Sequence, residues 1–67
     1  MSNKFDILEE YQAAEAKIAE LNDVCEKITH SSRGRHLLNA YDEKRRNVQA
    51  ERDRLGVILE AMSAAED

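Results

Sequence analysis

Seven residues, Ile7, Tyr11, Ala14, Ile18, Leu21, Cys25 and Ile28, follow one another at alternating steps of four and three. That spacing holds all of them on one stripe of an α-helix, and a stripe kept over three heptads is a seam that faces another helix. Phe5, Leu8 and Val24 widen the stripe at its ends, and Ala13, Ala16 and Ala19 add helix propensity. Asn3 is a candidate N-cap, with Asp6 three residues on and Glu9 and Glu10 near the positive helix end. These features predict a first helix over about 4–29.

The pattern stops at Thr29-His30-Ser31-Ser32-Arg33-Gly34-Arg35, the one cluster of helix breakers in the chain. A second helix is predicted over about 36–64, with the turn at about 30–35 and Ser31 or Ser32 as its cap. Tyr41, Val48, Leu55 and Met62 recur every seven residues, with Leu37, Leu38, Ile58, Leu59 and Ala65 around them. Extending the first frame through the break would place Ser32, Arg35, Asn39 and Asp42 in the seam. The phase therefore changes, and the chain turns back. Antiparallel pairing about the turn sets Ile28 against Leu37, Cys25 against Tyr41, Ile18 against Val48 and Tyr11 against Leu55. The expected fold is all-α: a single antiparallel two-helix hairpin domain spanning 1–67, coiled-coil-like.

Such a hairpin is thin. A 67-residue chain buries little of its surface alone. With one Cys it has no internal disulfide to compensate. Phe5, Leu8, Ile58 and Leu59 together exceed what one seam hides. Dimerisation into a four-helix bundle is the expected remedy. Gly56 lies in the same region, as either a tolerated surface glycine or a point of close helix approach. Between Tyr41 and Leu55 the seam neighbours are charged: Lys44 or Arg45, then Glu51 or Arg52. Either long stems lie along the seam and send their charges outward, or these charges set the register.

Charge is distributed in blocks. Residues 1–30 carry three Lys and seven Asp/Glu, 31–54 carry seven Lys/Arg and four Asp/Glu, and 55–67 carry three acids. Asp42 with Arg46 and Asp23 with Lys27 stand at i,i+4, so intramolecular pairing accounts for much of this. An overall charge of −4 disfavours nucleic acid, which selects for positive surfaces. The acidic polar face of the first helix argues against anionic membranes, and no apolar run approaches a membrane span. Met1-Ser2-Asn3-Lys4-Phe5-Asp6 has no apolar leader core, so a cytoplasmic location is expected.

No catalytic constellation is present in the sequence. Cys25, His30 and His36 form a Cys-x4-His-x5-His spacing, which lacks the fourth ligand and tight pairs of a structural zinc site. Neither metal nor cofactor is expected, and no enzymatic activity. The expected role is a small protein-interaction module acting by helix-face docking on a larger protein, as adaptor, assembly factor or inhibitor. Its size suits an accessory protein of a phage or mobile element. Phe5, Leu8, Leu59 and Met62 are the candidate apolar anchors. Arg33, Arg35, Lys44, Arg45 and Arg46 are the candidate charged contacts. The alternative is a dimeric nucleic-acid-binding regulator that uses those same cations on phosphates.

Overall fold

The structure, a computed structural model, describes residues 3–66. Helix α1 spans Lys4–Thr29 and helix α2 spans Leu38–Glu66, joined by a turn that ends in a 3-10 segment, Arg35–Leu37. The two helices pack against each other as an antiparallel hairpin.

Helix α1 opens on a reciprocal capping box. Asn3 has extended backbone (φ −97°, ψ 178°), and its Oδ1 accepts from the Asp6 N–H at 3.0 Å. Asp6 Oδ2 accepts in return from the Asn3 N–H at 3.4 Å. Two helix-start donors are thereby satisfied, a motif that contributes about 1 kcal/mol. In the last turn of α1, Thr29 Oγ1 donates to the Cys25 carbonyl at 2.7 Å, and Ser31 N–H donates to the Ile28 carbonyl at 3.0 Å. The Ser31 bond relieves a carbonyl that has no helical partner, while the Thr29 hydroxyl adds a second donor to the Cys25 carbonyl.

The turn departs from the expectation of a serine cap. Gly34, not Ser31 or Ser32, precedes the 3-10 segment, and no side chain caps it. Instead, backbone bonds three residues apart carry the chain round: Gly34 N–H to Ser31 carbonyl at 3.2 Å, and Leu37 N–H to Gly34 carbonyl at 2.9 Å. Gly34 has an ordinary right-handed backbone (φ −85°, ψ −15°), so its glycine is not required by conformation. Space requires it. A Cβ there would lie 2.9 Å from Ile28 Cγ2 and 3.3 Å from Ile28 Cα.

The seam of α1 is as the heptads predict. Ile7, Ala14, Ile18, Leu21 and Cys25 are buried, with Tyr11 and Ile28 half-buried. On α2 the inward residues are Leu38, Tyr41, Arg45, Val48, Arg52, Leu55, Leu59 and Met62, spaced by threes and fours. This corrects the expected pairing at the turn. Leu37 is 44% exposed, and Leu38 takes the seam position instead, because the 3-10 segment winds tighter than an α-helix and shifts the face. Farther along, Tyr11 lies beside Gly56, the neighbour of the buried Leu55, and the predicted row Tyr41, Val48, Leu55 and Met62 faces inward.

The hairpin measures 52 × 19 × 14 Å, with a radius of gyration of 15.3 Å against about 11 Å for a compact chain of this length. Its accessible surface is 5265 Å², whereas a compact monomer of 7.7 kDa exposes about 4300 Å².

The two glycines should respond to substitution in opposite directions. At Gly56 an added Cβ would sit 3.5 Å from Tyr11 Cε2, an ordinary contact inside a helix. Gly56→Ala is expected to stabilise by about 0.5–1 kcal/mol, raising the circular-dichroism melting midpoint by several degrees. Gly34→Ala should lower it, because Ile28 must leave its rotamer at a cost of about 1 kcal/mol or more. A Gly34→Ala chain at least as stable as the parent would show that the turn is looser than described.

Candidate functional site

Three surface regions hold the candidate residues: the open end of the hairpin, the charged middle of the seam, and the turn.

At the open end the start of α1 meets the end of α2, and Lys4 Nζ pairs with Glu66 Oε2 at 2.9 Å. Phe5 is 78% exposed and Leu8 39%, three residues apart on neighbouring turns of α1. Val57 on α2 is 65% exposed. Leu59 and Met62 are different: both are half-buried on the inward stripe of α2. Of the four apolar anchor candidates, the structure thus leaves two open and places two in the hairpin's own seam. Asp6, Glu9 and Glu10 stand with Lys4 around Phe5 and Leu8, and Glu66 is paired with Lys4, while Val57 shares a groove with Arg52, Asp53 and Glu60.

In the middle of the seam the sequence left two choices at each level. The structure turns Arg45 and Arg52 inward and leaves Lys44 and Glu51 exposed. Arg45 Nη2 donates to Asp42 Oδ1, and Nη1 crosses to Asn22 Oδ1 on α1 at 3.3 Å. Its Nε is buried without a hydrogen-bond partner. Arg46 holds the other oxygen of Asp42 at 2.7 Å. Arg52 instead turns to its neighbour: Nε and Nη2 donate to Asp53 Oδ1 at 3.3 and 3.2 Å. Arg52 therefore lies along the seam with its charge outward, and Arg45 is the one seam cation bonded across it among the described residues.

The turn carries Arg33 and Arg35, both exposed, flanked by exposed His30 and His36. From Lys27 to Ala40 there is no acidic residue. Lys27 pairs with Asp23 at 3.2 Å, the i,i+4 pair expected. Among the described residues no ion pair engages Arg33, Arg35 or Lys44. The five charged candidates therefore divide: Arg45 and Arg46 are held by Asp42, and the other three point to solvent.

Cys25 is buried in the seam, remote in role from the two exposed histidines. Among the described residues no three His, Cys, Asp or Glu side chains converge as metal ligands, and no helix is long and apolar enough to cross a membrane. The surface depressions are open grooves, the largest lined by Tyr11, Arg52, Gly56, Val57 and Leu59.

Of the exposed apolar residues, Val57 escaped the sequence reading and Leu37 was read as facing Ile28. Val57 lies opposite the inward stripe once the α2 frame is known, and that frame was readable from Tyr41, Val48 and Leu55. Leu37 had no such signal, since only the 3-10 turn sets its direction. Comparison with known proteins finds no matching family model, no matching curated protein and no matching solved structure.

The Arg45 environment yields a paired test. A half-buried guanidinium with one unsatisfied nitrogen is a poor stabiliser, and apolar replacement of such a group is often neutral or favourable. Arg45→Leu should therefore raise the thermal midpoint. Asp42→Asn strips a partner from two arginines and should lower stability by about 1 kcal/mol, more than Asp23→Asn at its exposed pair. If Arg45→Leu instead loses several degrees, the bond to Asn22 is what holds the helices in register.

Proposed function

We propose that this protein is a non-enzymatic interaction module, a short two-helix strut that works by presenting a helix face to another protein. One observation carries the reading. The seam absorbs the inward residues of both helices, yet Phe5 stays 78% exposed beside Leu8 at the same end as Val57. A large aromatic left in water one helical turn from an exposed leucine is the composition of an anchor patch, not of an inert surface. The acidic rim around it sets orientation and rejects acidic partners. A larger protein and a second copy completing a four-helix bundle are the two occupants such a patch fits. With a larger protein the module acts as an adaptor, assembly factor or inhibitor in the cytoplasm.

A nucleic-acid-binding regulator is the second reading, favoured by the acid-free turn. The pairing of Arg45 and Arg46 with Asp42 weakens it, because those two cations are already neutralised locally. A gel shift at low and moderate salt separates the readings. Phosphate binding would fall steeply with salt and vanish in Arg33→Glu/Arg35→Glu.

The docking reading makes its own demand. Phe5→Glu/Leu8→Glu alters two exposed positions and should leave helicity by circular dichroism unchanged. It should abolish capture of the partner that the parent chain retains, measured side by side from the source cells. Undiminished capture by the double variant would remove the open end as the docking face.

A further inference from the structure

Folding turns the charge blocks of the sequence into two poles. The turn pole, residues 27–40, contains no acid; Arg33 and Arg35 stand exposed there, and Lys27 pairs with Asp23 just outside it. The open pole carries Asp6, Glu9, Glu10, Glu60 and Glu66 against Lys4. These poles sit at opposite ends of a body 52 Å long. At about 8–10 Å, the screening length of physiological salt is far shorter, so the poles of one molecule do not neutralise each other.

The apolar surface is distributed in a related way. Phe5, Leu8 and Val57 lie at the acidic pole, and Leu37 lies at the basic one. The midpoint of the hairpin falls near Ile18 and Val48. Turning a second copy end over end about that midpoint brings its Leu37 and turn to the level of Phe5 and Leu8 in the first. The operation is a twofold axis, so the contact occurs twice. A parallel pair would instead stack five carboxylates on five at one pole and two arginines on two at the other.

The hairpin exposes about 900 Å² more than a compact monomer of its mass, the surplus of its elongated shape.

We propose that the occupant of the open-end patch is a second copy of this chain, paired antiparallel so that each basic turn covers the acidic, apolar end of the other. This rests on the docking reading above and names its partner. In the pair, Phe5 and Leu8 are covered by the turn of the second copy, and Arg33 and Arg35 face Glu9 and Glu10.

Two measurements test it. Light scattering on the unmodified chain should return about 15 kDa, twice the 7.7 kDa protomer. Arg33→Glu/Arg35→Glu should weaken the dimer by about tenfold or more, and Glu9→Lys/Glu10→Lys likewise. Mixing those two variants should restore it. Spin labels on Ser32→Cys, in a Cys25→Ala chain checked for helicity, should lie about 40–50 Å apart, since the two turns sit at opposite ends. A dimer with labels within about 20 Å is parallel and overturns the proposal, as does a dimer indifferent to reversal of the turn charges. A monomer at high micromolar concentration overturns self-pairing altogether. In that case a loss of partner capture by Phe5→Glu/Leu8→Glu still upholds the docking reading, so the two fail separately.

Discussion

A hairpin of two helices has one internal interface, and everything else about this protein depends on that limit. Ile7, Ala14, Ile18, Leu21, Cys25 and Leu55 make up the buried set, and even Leu21, the deepest, keeps 3% of its surface. No layer lies behind the seam. Burial of a few aliphatics at about 1.5–3 kcal/mol each leaves little margin over chain entropy. Local devices such as the Asn3–Asp6 box therefore matter more here than in a larger domain. The same limit forces apolar residues outside the stripe into water, and this gives the open end its exposed aromatic.

The turn converts that limit into a particular geometry. Gly34 approaches Ile28 so closely that no side chain fits, and the 3-10 segment after it rotates the entry of α2. Leu38 becomes the inward residue and Leu37 the outward one. The change stays local, because farther along Tyr41, Val48, Leu55 and Met62 face inward in the row that their spacing marks. The turn is thus the source of the apolar contribution of the basic pole.

The helices and their facing stripe were legible in the sequence because heptad spacing encodes direction without reference to anything distant. Caps and i,i+4 pairs were legible for the same reason: Asn3 with Asp6, Asp23 with Lys27 and Asp42 with Arg46 are all local. The turn was not. Two serines invite a cap, but the competing backbone bonds from Gly34 and Leu37 decide the outcome, and no periodicity reports on them. The choice of Arg45 over Lys44 was equally hidden, since either position fits a three-and-four spacing between Tyr41 and Val48. Of the candidate docking residues, Phe5 and Leu8 were identifiable by excess, being more apolar surface than one stripe absorbs. Leu59 and Met62 face inward, and for Met62 the seven-residue row with Tyr41, Val48 and Leu55 already marked that direction. Charge blocks were visible along the chain, but only folding back makes them poles.

The contact between Lys4 and Glu66 has a consequence for chain connectivity. Because the first turn of α1 touches the last turn of α2, a short linker across that gap would tie the two helices without stretching either. Opening the backbone between Ser31 and Ser32 would then yield a rearranged polypeptide with the order of the helices exchanged and the seam intact. Such a permuted chain keeps the interior of the hairpin and changes only which end of it carries the connection.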